Sequence, residues 1–84
     1  MSYSIEILRR AQKELAQLPR QEYERVKEAI QNLSLDPRPQ GCKKLAGREG
    51  WRIRVGNYRI IYEIDDAQQR LAILHIGHRR DVYK

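Results

Sequence analysis

Between Trp51 and Ile64, apolar and polar residues alternate with period two on both sides of Gly56-Asn57. Two alternating runs broken by two turn-forming residues predict a β-hairpin with a type I′ or II′ turn. That pairing sets Val55 opposite Tyr58, Ile53 opposite Ile60 and Trp51 opposite Tyr62, which makes one apolar sheet face. The other face carries Arg52, Arg54 and Arg59, with Arg54 directly across from Arg59. Like charges opposed on a sheet destabilise it by up to about 1 kcal/mol. Arginine is common on solvated strands, where long cations discourage edge pairing. An opposed arginine pair nevertheless points to a face that meets something anionic.

The rest of the chain supplies the cover for the apolar face. Tyr3, Ile5 and Ile7 alternate with Ser2, Ser4 and Glu6, as in a short first strand. The period then lengthens: Leu8, Ala11, Leu15 and Leu18 share one helical face, and Pro19 ends that helix or opens the next. A second helix from Pro19 to Leu33 has Tyr23, Val26, Ile30 and Leu33 as its stripe, with Glu22, Glu24 and Glu28 interleaved with Arg20, Arg25 and Lys27 outside. With almost no linker between them, the two form an αα-hairpin.

Residues 34–41 form a Pro/Gly-punctuated linker, and Cys42 to Gly50 a basic, glycine-bracketed loop whose Leu45 is expected to tuck into the core. After a polar turn over Asp65–Gln69, the near-continuous apolar run Leu71–Ile76 predicts a strand covered along most of its length, with His75 as a hydrogen-bonded structural residue. Gly77 is expected to break this strand, and residues 78–84 to close the chain as a turn or single helical turn. The expected fold is α+β, in the order β-α-α-β-β-β with a short helical tail. A helical hairpin packs on one face of a mostly antiparallel four-stranded sheet, and residues 1–84 form one domain.

Charge narrows the partners. Seventeen Lys and Arg against eleven Asp and Glu give a net charge of +6 and a pI near 9.8, which favours a polyanion: RNA, DNA or an acidic protein. No apolar run approaches the roughly 20 residues of a membrane span. The first residues lack the basic and apolar regions of a signal peptide. Cys42 is the sole cysteine, so no intrachain disulfide forms, and no metal-ligand spacing is visible. The cytoplasm is the expected compartment, with no metal and no cofactor.

Lys44-Leu45 ahead of the string from Gly50 to Glu63, together with Gly77-His78-Arg79-Arg80-Asp81-Val82-Tyr83, resembles the RelE/ParE superfamily of toxins from bacterial toxin–antitoxin modules. The resemblance spans essentially the whole chain, and the closing string favours the RelE branch. That branch implies a ribosome-dependent endoribonuclease that cuts mRNA in the decoding site. The ParE branch shares the fold and poisons DNA gyrase without the basic catalytic set. By this resemblance Arg52 and Arg54 take the two basic positions of the first hairpin strand, where some RelE members carry lysine. Arg59, Arg79 and Tyr83 match the remaining family positions.

The implied site is therefore Arg54, Arg59, Arg79 and Tyr83 as catalytic residues, with His78 as a further candidate. Arg52, Lys43, Lys44 and Arg48 would grip RNA. Arginine, with a pKa above about 12, neutralises phosphate but is a poor general base. Tyr83 could transfer a proton or stack on a base, and His78 is the other candidate base near neutrality. The resemblance also implies a cognate antitoxin, contact with the ribosome and mRNA, operator DNA only through the toxin–antitoxin complex, and no membrane. Two other readings stand beside it: a gyrase inhibitor without catalysis, and a non-catalytic RNA-binding module. The hairpin aromatics lie on the core face, which removes the stacking platform of a typical RNA-recognition sheet.

Overall fold

The computed structural model describes residues 2–47 and 49–78. Strand β1 (Ser4–Ile7) leads into helices α1 (Arg9–Ala16) and α2 (Arg20–Leu33). Strands β2 (Lys43–Lys44), β3 (Trp51–Val55), β4 (Tyr58–Asp65) and β5 (Arg70–His78) follow. The sheet order is β1-β5-β4-β3-β2, antiparallel except for β1, which runs parallel to β5. The α+β class and the helical layer on one face are as the pattern predicts. The sheet has five strands rather than four, because Lys43 and Lys44 pair with Arg52 and Trp51. Two lysines carry no alternation, so only backbone pairing reveals this strand.

The helices form where their stripes find the sheet. Ala11 and Leu15 of α1 and Val26, Ile30 and Leu33 of α2 are buried against Ile53, Ile60, Tyr62, Leu71, Ile73 and Ile76. Helix α1 stops at Ala16, short of the stripe's last residue. Gln17 and Leu18 turn back with bonds to the Glu14 and Leu15 carbonyls, and a residue before proline disfavours helix. Pro19 then caps α2 in an extended conformation.

The hairpin register is the one its alternation predicts: Trp51 faces Tyr62, Ile53 faces Ile60, Arg54 faces Arg59 and Val55 faces Tyr58. At the turn only Gly56 has a left-handed φ, of 60°, the sign pattern of type II′. Gly77 does not end β5, which continues to His78 with Gly77 opposite Arg59. Glycine inside a strand often marks a close approach, and here it leaves the face beside Arg59 without a side chain.

β5 also carries one extra residue relative to β4. Ile61 faces His75, but Tyr62 faces Ile73. Beyond this bulge Ile76 reaches the core and His75 meets Glu14 of α1, with Nδ1 at 2.7 Å from Oε2. Glu14 Oε1 also accepts the Ile76 N–H at 2.9 Å. His75 is thus a hydrogen-bonded structural residue, as expected.

The linker is tied down from both sides. The Tyr62 hydroxyl donates to the Pro37 carbonyl at 2.7 Å, and burial pushes its pKa up. Asp66, in the β4–β5 turn, accepts two bonds from the Arg38 guanidinium and one from the Tyr3 hydroxyl. The Arg38 guanidinium also sits 5.0 Å from the centre of the Trp51 ring. Leu45 does not join the core. Its Cδ1 lies 3.0 Å from where a Cβ would stand on Gly50, which is free of one and has φ 126°.

Candidate nucleic-acid interface

The helices cover one face of the sheet, and strand alternation assigns the other. Two cross-strand rows matter. In the first, Lys43 pairs with Arg52 and Arg52 with Ile61; in the second, Arg54 pairs with Arg59 and Arg59 with Gly77. Together they form a groove of about 270 Å³ lined by Gly41, Lys43, Arg52, Ile53, Arg54 and Arg59. Four of these six residues are cations and none is acidic.

Their environments differ. Lys43 and Arg54 are exposed, whereas Arg52 and Arg59 are half-buried. The Arg59 Nε is shut off from solvent. A guanidinium stays charged even when partly desolvated, so Arg59 presents a full positive charge in a less polarisable setting than bulk water. Arg54 Nε donates to the Gly56 carbonyl at 3.3 Å, which holds the side chain along the hairpin tip.

The same face changes sign along the strands. Glu6 pairs with Ala72 and Ala72 with Glu63, forming a row at the opposite end. A broader hollow there is lined by Glu6, Glu49, Glu63, Asp65 and Asp66, with Arg70 as its cation among the described residues. Between the two ends lies Ile61, only 5% exposed yet outside the core cluster.

The structure does not bring every candidate to this groove. Lys44 pairs with Trp51 and holds its ammonium 5.9 Å from the ring centre, on the other side of the sheet from Lys43. His78 pairs with Tyr58, a core-facing residue, and their rings meet edge to face with centroids 5.7 Å apart. That ring therefore stands on the helical side, opposite the arginines. The cause is the bulge in β5, which sets the phase of every residue after it. Arg48, Arg79 and Tyr83 lie outside the described residues. Among the described residues no cluster of three His, Cys, Asp or Glu could hold a metal, and no helix is long and apolar enough to cross a membrane.

Two features escape sequence reasoning. Gly41 lines the groove, and Arg25 of α2 reaches the hairpin tip, with Nη1 3.7 Å from where a Cβ would stand on Gly56. Nothing in the pattern of α2 separates Arg25 from its other outward cations.

The comparisons with known proteins agree with this architecture. The family described as ParE toxin of type II toxin-antitoxin system, parDE, matches residues 5–83. Toxin RelG of Mycobacterium tuberculosis is 34% identical over 88 aligned positions, covering 100% of this chain and 99% of that protein. The RelE–RelB complex of Pyrococcus horikoshii superposes with a TM-score of 0.85 at 30% identity, covering 98% of this chain and 100% of that one. The RelBE2 toxin–antitoxin complex of M. tuberculosis gives 0.83 at 29%, covering 94% and 100%.

Proposed function

From the premise that the chain belongs to the RelE/ParE superfamily and is a toxin of a type II toxin–antitoxin system, we propose that it acts as an endoribonuclease of the RelE kind. It would cut mRNA in the decoding site of the ribosome and so halt translation. The observation that carries this reading is the groove of Lys43, Arg52, Arg54 and Arg59, which has no carboxylate in its lining among the described residues.

Cleavage by the RNA's own 2′-hydroxyl needs in-line positioning, a base, neutralisation of the charge that builds on the phosphorane-like transition state, and an acid for the leaving oxygen. The groove answers the first and third needs. Arg54 and Arg59, opposed across β3 and β4, flank a phosphate, with Arg79 as the third cation the resemblance assigns. Arg52 and Lys43 grip the adjoining backbone. Arginine's planar fork suits bidentate contact with phosphate oxygens. Removing one preorganised donor of this type typically lowers the rate by about 10²–10³. Proton transfer falls to Tyr83, or Tyr83 stacks on a base. A role for His78 requires its ring to leave Tyr58 and cross to the other face.

A cognate antitoxin completes the system. Antitoxins accompany the toxins in the P. horikoshii and M. tuberculosis complexes. For this chain, an acidic, foldable segment covering the cationic groove is the partner that net charge favours. Operator DNA would be met only through that complex.

The test is primer extension on a translated message after induction, with and without the antitoxin. Cuts within codons, abolished by Arg59→Ala and by Arg54→Ala, support the reading. The family's ParE description keeps a gyrase-directed toxin as the second reading. A DNA-damage response with uncut messages would establish it in place of the nuclease.

A further inference from the structure

The groove does not end at the hairpin turn. On its side of the tip, Arg54 Nε donates to the Gly56 carbonyl at 3.3 Å. From the helical side, Arg25 brings Nη1 to 3.7 Å from the position a Cβ would take on Gly56. Two guanidinium groups from different layers thus converge on one glycine. Gly56 is suited to this because it takes the left-handed φ of 60° and presents no side chain to either. Both arginines are exposed, and among the described residues no carboxylate forms an ion pair with either. Beyond Arg25 the helix surface becomes mixed, since Arg20, Gln21 and Glu24 share a shallow hollow with it. Among the described residues the cationic track therefore runs from Lys43 through Arg52, Arg59 and Arg54 to Arg25.

Like charges brought to one turn repel unless an anion stands between them, and among the described residues no carboxylate does. A phosphodiester group would meet both guanidiniums at the tip, where each can donate two hydrogen bonds. We propose that Arg25 and Arg54 form a second phosphate subsite over the hairpin turn. Through it, a single RNA strand seated in the groove continues across Gly56-Asn57 toward α2. This rests on the groove binding RNA, and it adds the direction in which the strand leaves.

The test measures binding of 2′-O-methyl RNA, which resists cleavage, by fluorescence anisotropy across a salt series. A trinucleotide fills only the groove, whereas a nonanucleotide reaches the tip. Arg25→Ala is expected to weaken the nonanucleotide roughly fivefold, the scale of one exposed charge contact. It should also lower the slope of log K against log salt by about 0.7, one phosphate contact on a single strand. The trinucleotide should bind as to wild type. Arg54→Ala should weaken both. Equal binding of the nonanucleotide by wild type and Arg25→Ala, while Arg54→Ala is impaired, would overturn the tip subsite and leave the groove intact. An Arg25→Ala loss of the same size on both lengths would also overturn it, because the strand would then not extend past the groove. If neither variant changes binding, the groove reading fails and the tip subsite with it. Thermal melts of both variants by circular dichroism verify that they fold.

Discussion

Replacing Glu14 should show how the helical layer sets the geometry of the opposite face. Its carboxylate, 24% exposed, accepts the Ile76 N–H at 2.9 Å and meets His75 Nδ1 at 2.7 Å. It also meets Arg10 Nε at 3.4 Å, but that side chain is 70% exposed and should contribute almost nothing. Ile76 is 2% exposed, so Glu14→Ala leaves a buried backbone donor without an acceptor, at a cost of about 1–3 kcal/mol. Loss of the half-buried His75 contact adds about 0.5–1 kcal/mol. The expected total is roughly 2–4 kcal/mol, a large share of the about 5–15 kcal/mol that holds a small domain together. At about 4–8 °C per kcal/mol, the melting temperature should fall by at least roughly 8 °C.

Glu14→Gln keeps an amide oxygen for Ile76 and should cost only about 1 kcal/mol. A double-mutant cycle with His75→Ala should return a coupling of about 0.5–1 kcal/mol. Urea unfolding followed by the fluorescence of Trp51, the sole tryptophan, measures all four variants. A Glu14→Ala variant within 0.5 kcal/mol of wild type, judged against the extrapolation error of about 10–15%, would refute this account of the bulge. So would a Glu14→Gln variant as unstable as Glu14→Ala, since the lost acceptor would then not be the cause.

Two further outcomes follow from the linker clasp. Arg38 first, and Tyr3 second, hold the Asp66 carboxyl at about 2, below its ordinary 3.8. A carboxyl whose pKa falls on folding stabilises above its unfolded pKa, so this contribution is lost as pH drops from about 4 through 2. Melting curves of Asp66→Asn should be flatter over that window, and an unchanged slope would show that the clasp carries no free energy. Tyr62 has the opposite sign, because burial raises its hydroxyl above the ordinary 10.0. Its neutral form stabilises the fold fully below pH 10, and the contribution declines as pH rises further. Tyr62→Phe, which removes the bond to the Pro37 carbonyl, should cost about 1 kcal/mol at pH 7. It should also lessen alkaline unfolding, and the same alkaline midpoint in both proteins would contradict that role.

Sequence reasoning reached furthest where one period governs both faces of an element. The hairpin register follows from alternation and the two-residue Gly56-Asn57 break together, because a slip of one residue would turn Ile53 and Ile60 outward. The same register placed Arg52, Arg54 and Arg59 on one face, where the groove brings them together. The sequence is less legible where the period is absent or interrupted. The run Leu71–Ile76 is apolar nearly throughout, so no residue in it announces the bulge, and the face of His78 could not be read past it. Beside the bulge, the Ile76 N–H is held by Glu14, some sixty positions away in the chain. Gly77 looked like a break because glycine is a weak strand former, yet its pairing with Arg59 holds it in the strand. Arg25 was indistinguishable from other helix-surface cations until the hairpin tip was placed beside it.

The separation of charge along the helix-free face gives the opposed arginines a physical rationale. Arg59 and Glu63 lie four positions apart on β4, about 13 Å at 3.3 Å per residue. At physiological ionic strength the screening length is about 8 Å, so the acidic end offers the cationic end little neutralisation through solvent. Had Glu63 and Glu6 stood in the rows of Arg52 and Arg54, they would have formed cross-strand pairs of up to about 1 kcal/mol each and cancelled the field in the groove. Their placement gives up that stabilisation and keeps both carboxylates out of the cationic rows. On the proposed RNA-binding reading, the acidic end would repel the strand and confine it to the hairpin end. The helical layer makes this tolerable, because the core it closes on the opposite side does not depend on the cationic face for burial.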